Sequence, residues 1–160
     1  MMRLSGITKK VTFNIFFALN DILSDNSKLC SMNKSKILII DDDADLSAST
    51  KLFLETRNYE VTTAINTKTG LQILKSFNPD LVILDIIMDS NLEGFNFLND
   101  LKSDDSLKKI PVVMNTNMSQ VIGVNMRSVI EEGDNFPRTR FIEKSGDWNE
   151  LLKAIEELLQ

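Results

Sequence analysis

The sequence predicts an α/β fold: a doubly wound, five-stranded parallel sheet with helices on both faces. Strand-like and helix-like segments alternate five times from Lys36 to the C-terminus, which is the pattern of a parallel sheet with crossover helices. Several strands are unbroken apolar runs, as expected when helices cover both faces of the sheet. The 160 residues are 42% hydrophobic, enough for the core of one domain.

The first two strand–helix units lie between Lys36 and Phe77. "KILII" is an apolar run of strand length, and "ADLSASTKLFLETRN" follows it with helical spacing and a carboxylate in front to cap the helix. "YEVTTA" alternates and is rich in β-branched residues, so it predicts a strand. "TKTGLQILKSF" places Leu71, Leu74 and Phe77 on one face of a helix.

The remaining units continue the alternation. "PDLVILD" begins with a turn and becomes the most apolar strand, and "EGFNFLNDLKS" has helical spacing. "IPVVMNT" and "TRFIEK" predict strands, and residues 121–132 between them predict a helix. The last helix begins at a box formed by Asp147 and Glu150. Its apolar stripe consists of Leu151, Leu152, Ile155, Leu158 and Leu159.

The N-terminal segment differs from the rest. Met32 opens "MNKSKILIIDDD", a short basic lead into a strand, so we expect the domain to span residues 32–160. Residues 1–31 are then a loosely held extension or a product of an upstream start codon; a membrane-surface or partner-binding helix is the alternative. No apolar run approaches the roughly 20 residues that a membrane span needs.

Composition excludes several classes of function. From Lys36 onward 13 basic residues stand against 21 acidic ones, and such a surface repels nucleic acid. Cys30 is the only cysteine and histidine is absent, which removes an internal disulfide and most zinc sites. We therefore expect a reducing, cytoplasmic setting and no nucleic-acid partner.

Polar residues end four of the predicted strands. They are Asp41 and Asp42 after the first, Asp85 after the third, Thr116 after the fourth and Lys144 after the fifth. In open α/β sheets ligands bind beyond the carboxyl ends of the strands, and clustered carboxylates there suit Mg²⁺. Each residue also has an ordinary explanation, as a helix cap, a strand hydroxyl or a solvated lysine; the conjunction favours a site.

These segments resemble the receiver domain of two-component response regulators over residues 36–160. The motifs that carry the resemblance are "ILIIDDDADL", "PDLVILDIIM", "IPVVMNT" and "FIEK". The resemblance implies a flavodoxin-like receiver fold with strand order 2-1-3-4-5.

The resemblance also assigns roles to residues. Asp41 and Asp42 are similar to the acidic pair that binds Mg²⁺, and Asp85 to the phosphate-accepting aspartate, with the backbone carbonyl of Ile87 as a further metal ligand. Thr116 resembles the switch hydroxyl. The two remaining assignments are the lysine of the site, Lys144, and the aromatic switch residue, Phe141.

The implied function is that of a stand-alone receiver, which is a signalling module and not an enzyme beyond its own phosphorylation and dephosphorylation. Its partners would be a sensor histidine kinase or phosphotransfer protein and an unidentified downstream protein. One alternative is a degenerate receiver that acts as a scaffold without phosphorylation. Another is a phosphohydrolase of the haloacid dehalogenase kind, for which Asp41 and Asp43 have the required spacing.

The chain departs from the family pattern at several points. Ser145 and Gly146 follow the lysine where the family has proline, and a cis bond is far costlier without proline. Asn115 and Asn117 flank Thr116, and the loop after Asp85 is about one residue longer. We expect these changes to affect switching rather than the acceptor chemistry.

Overall fold

The computed structural model describes residues 34–88, 93–117, 138–144 and 146–160. The extension predicted over residues 1–31 and the helix predicted over 121–132 lie outside these ranges. The strands are β1 (Lys36–Ile40), β2 (Glu60–Ala64), β3 (Leu81–Leu84), β4 (Val112–Thr116) and β5 (Thr139–Glu143). The helices are α1 (Ala44–Glu55), α2 (Thr67–Phe77), α3 (Glu93–Ser103) and α4 (Trp148–Leu159).

The five strands form one parallel sheet in the order β2-β1-β3-β4-β5, which confirms the predicted fold class and strand order. The chain runs outward from β1 to β2 and then from β3 to β5 on the other side, so the strand order reverses between β1 and β3. Ile40 pairs with Leu84 across that point, and the residues that follow both strands therefore leave the sheet side by side.

Two apolar layers enclose the sheet. On one face Ile37 and Ile39 pack with residues of α1 and α4 such as Leu54 and Ile155. On the other face Leu38 belongs to a layer that includes residues of α2 and α3. Alternate residues of β1 thus enter opposite layers, which explains why its sequence is apolar without interruption.

The helix faces depart from the predicted ones in detail. Leu71, predicted to share a face of α2 with Leu74 and Phe77, is 41% exposed, whereas Gly70 and Leu74 are buried. In α4 the buried set includes Ala154, while Leu152 is only half-buried. No described helix has the length and apolarity to cross a membrane.

Candidate functional site

The site is built at the carboxyl edge of the sheet, on both sides of the β1–β3 switch point. Asp41 follows β1 and its amide donates to the Ala64 carbonyl oxygen at 3.0 Å, which continues the pairing with β2. Asp85 follows β3 and its amide donates to the Ile40 carbonyl at 2.9 Å. The sheet hydrogen bonding therefore fixes both backbones where the carboxylates begin.

Lys144 joins these two carboxylates. Its Nζ lies 2.6 Å from Oδ2 of Asp85 and 2.9 Å from Oδ2 of Asp41. The three side chains are only 5–11% exposed, so these ion pairs are shielded from bulk water. The amide of Lys144 donates to the Thr116 carbonyl at 3.3 Å, which extends the β4–β5 pairing and aims the side chain across the strand ends.

Burial and pairing shift the pKa values of this group. Burial by itself lowers the pKa of Lys144, but the hydrogen bonds and charges of Asp85 and Asp41 outweigh it, and the net shift is upward. Burial raises the pKa of Asp41, and the hydrogen bond from Lys144 offsets only part of that rise. Lys144 is therefore a fixed positive charge at neutral pH.

A third carboxylate completes the cluster. Oxygen atoms of Asp41, Asp42 and Asp85 lie within 4.8 Å of one another, and Asp42 is the exposed member. Backbone amides orient the two buried carboxylates: Asp43 donates to Oδ1 of Asp41 and Ile87 donates to Oδ1 of Asp85, both at 3.0 Å. Three carboxylates with one solvent-facing side form a donor set that fits a hard divalent cation such as Mg²⁺.

Gly94 lets α3 pack directly against the backbone of Asp85 and Ile86. The amide of Gly94, in the first turn of α3, donates to the Ile86 carbonyl at 3.2 Å. A Cβ atom added to Gly94 would lie 2.7 Å from Cα of Ile86 and closer still to the carbonyl oxygen of Asp85. Only glycine allows the helix to approach so closely. Sequence reasoning missed this residue, because its requirement arises from a neighbour in space.

Thr116 and Phe141 lie on the side of the sheet that α2 and α3 cover. Thr116 is fully buried, and its hydroxyl oxygen has no hydrogen-bond partner among the residues that the structure describes. Phe141 is 6% exposed and belongs to the apolar layer on that face. A buried hydroxyl without a partner costs free energy, so this position of Thr116 is energetically unfavourable as it stands.

The loop after Lys144 is shaped without proline. The described residues contain no cis peptide bond, and Gly146 has a φ of 77°, a left-handed conformation that glycine adopts without strain. Asp147 then caps α4 by accepting from the Asn149 amide at 2.9 Å.

Asp43 is also a helix cap. Its side chain accepts from the Leu46 amide at 2.9 Å. The carboxylate cluster consists of Asp41, Asp42 and Asp85 and does not include Asp43.

The fold and the carboxylate cluster agree with one family of signalling domains. The family model of the response regulator receiver domain matches residues 37–156. The chain therefore belongs to the response regulator receiver family, as its motifs predicted.

Curated relatives agree with this assignment. The chain is 30% identical over 125 residues to "DNA-binding dual master transcriptional regulator RpaA" of Synechocystis sp., a match that covers 78% of this chain and 49% of that protein. It is 33% identical over 90 residues to "Probable transcriptional regulator ycf27" of Porphyridium aerugineum, covering 56% of this chain and 36% of the relative. The chain thus spans a third to a half of the length of these relatives.

Solved structures show the same fold. A CheY-like receiver domain protein from Methanospirillum hungatei superposes with a TM-score of 0.65 at 27% identity, covering 79% of this chain and 94% of that one. CheY4 of Vibrio cholerae superposes with a TM-score of 0.65 at 23% identity, covering 79% and 99%. At that identity the second comparison bears on the fold alone.

Proposed function

We propose that the protein is a phosphoacceptor of a two-component system or phosphorelay, and that Asp85 receives a phosphoryl group from a phosphohistidine on a histidine kinase or phosphotransfer protein. The observation that carries the proposal is the Lys144 bridge between Asp85 and Asp41, at 2.6 and 2.9 Å. Membership of the receiver family supports it.

In the proposed reaction a carboxylate oxygen of Asp85 forms a bond to phosphorus as the phosphorus–nitrogen bond to the imidazole breaks. The imidazole leaves with the bonding electron pair and takes a proton from solvent. Catalysis of such a transfer consists mainly of positioning and charge neutralisation. The amide of Ile87 holds the carboxylate, and Lys144 provides a positive charge beside the incoming phosphoryl oxygens.

A divalent cation fits the same site. Asp41, Asp42 and Asp85 would hold it, together with the backbone carbonyl of Ile87. When bound, Mg²⁺ would neutralise phosphoryl charge and order the oxygens for in-line transfer. The chain's own contribution is to fix three carboxylates within 4.8 Å of one another.

Phosphorylation would then shift the population between two states of the domain. The buried hydroxyl of Thr116, which has no partner in the described part of the chain, would donate to a phosphoryl oxygen. Phe141, now inside the apolar layer, would turn into the space that Thr116 vacates. This change would remodel the surface around β5 and α4 and alter binding of a downstream protein.

Intact-mass spectrometry after incubation with Mg²⁺ and acetyl phosphate tests the proposal. We expect the gain of one phosphoryl group in the wild type and in Asp45→Asn, an exposed acid outside the cluster, and no gain in Asp85→Asn. Loss of the gain in Asp41→Asn with retention in Asp85→Asn would instead indicate the phosphohydrolase chemistry. Failure with acetyl phosphate and with a panel of histidine kinases would contradict the proposal and favour the scaffold alternative.

A further inference from the structure

A second cavity lies beside Lys144, on the opposite side of the sheet from Thr116. It has a volume of about 200 Å³ and opens between the starts of α1 and α4 and the ends of β4 and β5. Asn115 lines it. Because successive strand residues face opposite sides, Asn115 faces the α1–α4 layer while Thr116 faces the other one. The phosphoacceptor function proposed above does not use this cavity.

One wall of the cavity is aromatic. Trp148 lines it, and its ring packs against Phe53 of α1 with a centroid separation of 4.9 Å and an angle of 31° between the ring planes. The same aromatic pair already accepts a guanidinium group, since Arg57 lies 4.7 Å above the ring of Phe53. Indole is the ring that attracts cations most strongly. Leu46 and Leu151 add apolar surface to the lining beside the aromatic pair.

A polar group lies at the end of β4. Asn115 is half-buried at a strand position whose neighbour on the same face, Val113, is fully buried core. Asn115 lines the cavity, so its side-chain amide is within reach of a ligand that enters. The amide oxygen is an acceptor for a ligand that carries N–H groups.

The charged residues around the cavity determine whether a cation or an anion is favoured there. Three acidic residues line it: Asp43 and Asp147, which cap α1 and α4, and Glu143. Lys144 also lines it, but its ammonium group is paired with Asp85 and Asp41 and so adds little net positive charge. The cavity therefore favours a cation, as does the acidic balance of the domain.

We propose that this cavity binds a guanidinium group, stacked on Trp148, hydrogen-bonded to Asn115 and facing the carboxylates of Asp43 and Asp147. A planar group with several N–H donors satisfies the aromatic face and the oxygen acceptors together, which a compact ammonium group cannot do. The guanidinium can belong to a small molecule or to an arginine side chain of a partner protein.

Fluorescence titration tests this directly, because Trp148 is the only tryptophan in the chain. The full-length protein is titrated at low ionic strength with N-acetyl-arginine amide and, in parallel, with the uncharged isostere N-acetyl-citrulline amide. We expect a saturable change in Trp148 emission with the arginine compound only. An equal response to both compounds, or no saturation up to about 50 mM, would overturn the proposal.

The contribution of the carboxylate charges to binding can be measured with substitutions that retain the helix caps. Asparagine caps helices as well as aspartate does, so the double variant Asp43→Asn/Asp147→Asn removes the two charges without removing the caps. We expect it to weaken binding by roughly tenfold or more, whereas Asp45→Asn, an exposed acid that does not line the cavity, binds like the wild type. Binding of the double variant at wild-type affinity would refute the assignment.

The source of the guanidinium is resolved by two further probes, ethylguanidine and the peptide Ala-Ala-Arg-Ala-Ala. Equal affinity for both indicates that the cavity recognises the group alone, as it would in a small molecule. Affinity for the peptide at least about tenfold tighter indicates that neighbouring peptide groups also bind, as they would in a partner protein. If neither probe binds, the proposal is wrong.

Discussion

The contact between α3 and the backbone of Asp85 makes Gly94 the residue whose substitution is most informative. Gly94→Ala adds one methyl group at a position where the nearest atoms all belong to the backbone. They are the Asp85 carbonyl oxygen, the Ile86 Cα at 2.7 Å and the Asp85 carbonyl carbon at 2.9 Å. Ordinary contacts between such atoms lie near 3.5 Å or beyond. Either α3 or the β3–α3 segment must therefore move.

Two effects of opposite sign decide the outcome. Alanine is a better helix former than glycine by about 1 kcal/mol, which by itself would stabilise the protein. Overpacking costs about 1–3 kcal/mol, and the upper value applies here because no flexible side chain can yield. We expect a net loss of about 2 kcal/mol in the free energy of unfolding, which is a decrease of about 1 M in the urea midpoint.

Gly70→Ala is the matched control. Gly70 also lies in a helix, but its added Cβ would meet the Cδ1 atom of Ile40 at 2.6 Å, the end of a side chain that can rotate away. We expect the cost and the propensity gain to cancel to within about 1 kcal/mol. Urea denaturation of both variants measures the difference. A Gly94→Ala midpoint at or above that of the wild type, or an equal loss in Gly70→Ala, would refute the steric reasoning.

Three further predictions concern charge. Lys144→Met leaves Asp41 and Asp85 buried without their cation, so we expect its free energy of unfolding in EDTA to be about 3 kcal/mol lower than that of the wild type. Thermal unfolding should show that Mg²⁺ restores part of this loss; a variant as stable as the wild type in EDTA would contradict the prediction. Asp42→Asn removes the exposed carboxylate of the cluster, and we expect calorimetry to show at least about tenfold weaker Mg²⁺ binding with little change in melting temperature; unchanged affinity would place the metal elsewhere. Burial, with a smaller effect of a nearby arginine, lowers the pKa of Lys102 to about 8, so between that pH and the unfolded value of 10.5 the unfolded chain binds more protons. Stability should then rise with pH across this window by about 1–2 kcal/mol after allowance for partial exposure, and urea midpoints of Lys102→Met should lack the rise; an identical pH profile would disprove it.

Local sequence pattern determined most of the fold. The unbroken apolar run of β1 and the alternation in β2 both identify strands. A strand buried on two faces is apolar throughout, whereas a strand buried on one face alternates between apolar and polar residues. The starts of two helices could also be predicted from the sequence. Asp43 and Asp147 cap α1 and α4, as the positions of these acids before apolar stripes indicated. The side chains at strand ends could be grouped because parallel strands place their carboxyl ends on one edge.

Distances and contacts between elements were decided only by the tertiary structure. No local pattern distinguishes Gly94, which must be glycine, from Gly70, since the difference lies in which atoms of another element face each one. The exposure of Leu71 and the low pKa of Lys102 likewise depend on how helices pack against their neighbours. The sequence by itself determined which residues end the strands of this receiver domain. Only the packed sheet decided that Lys144 reaches two carboxylates at once, because a salt bridge across 59 residues depends on how the strands pair and not on local spacing.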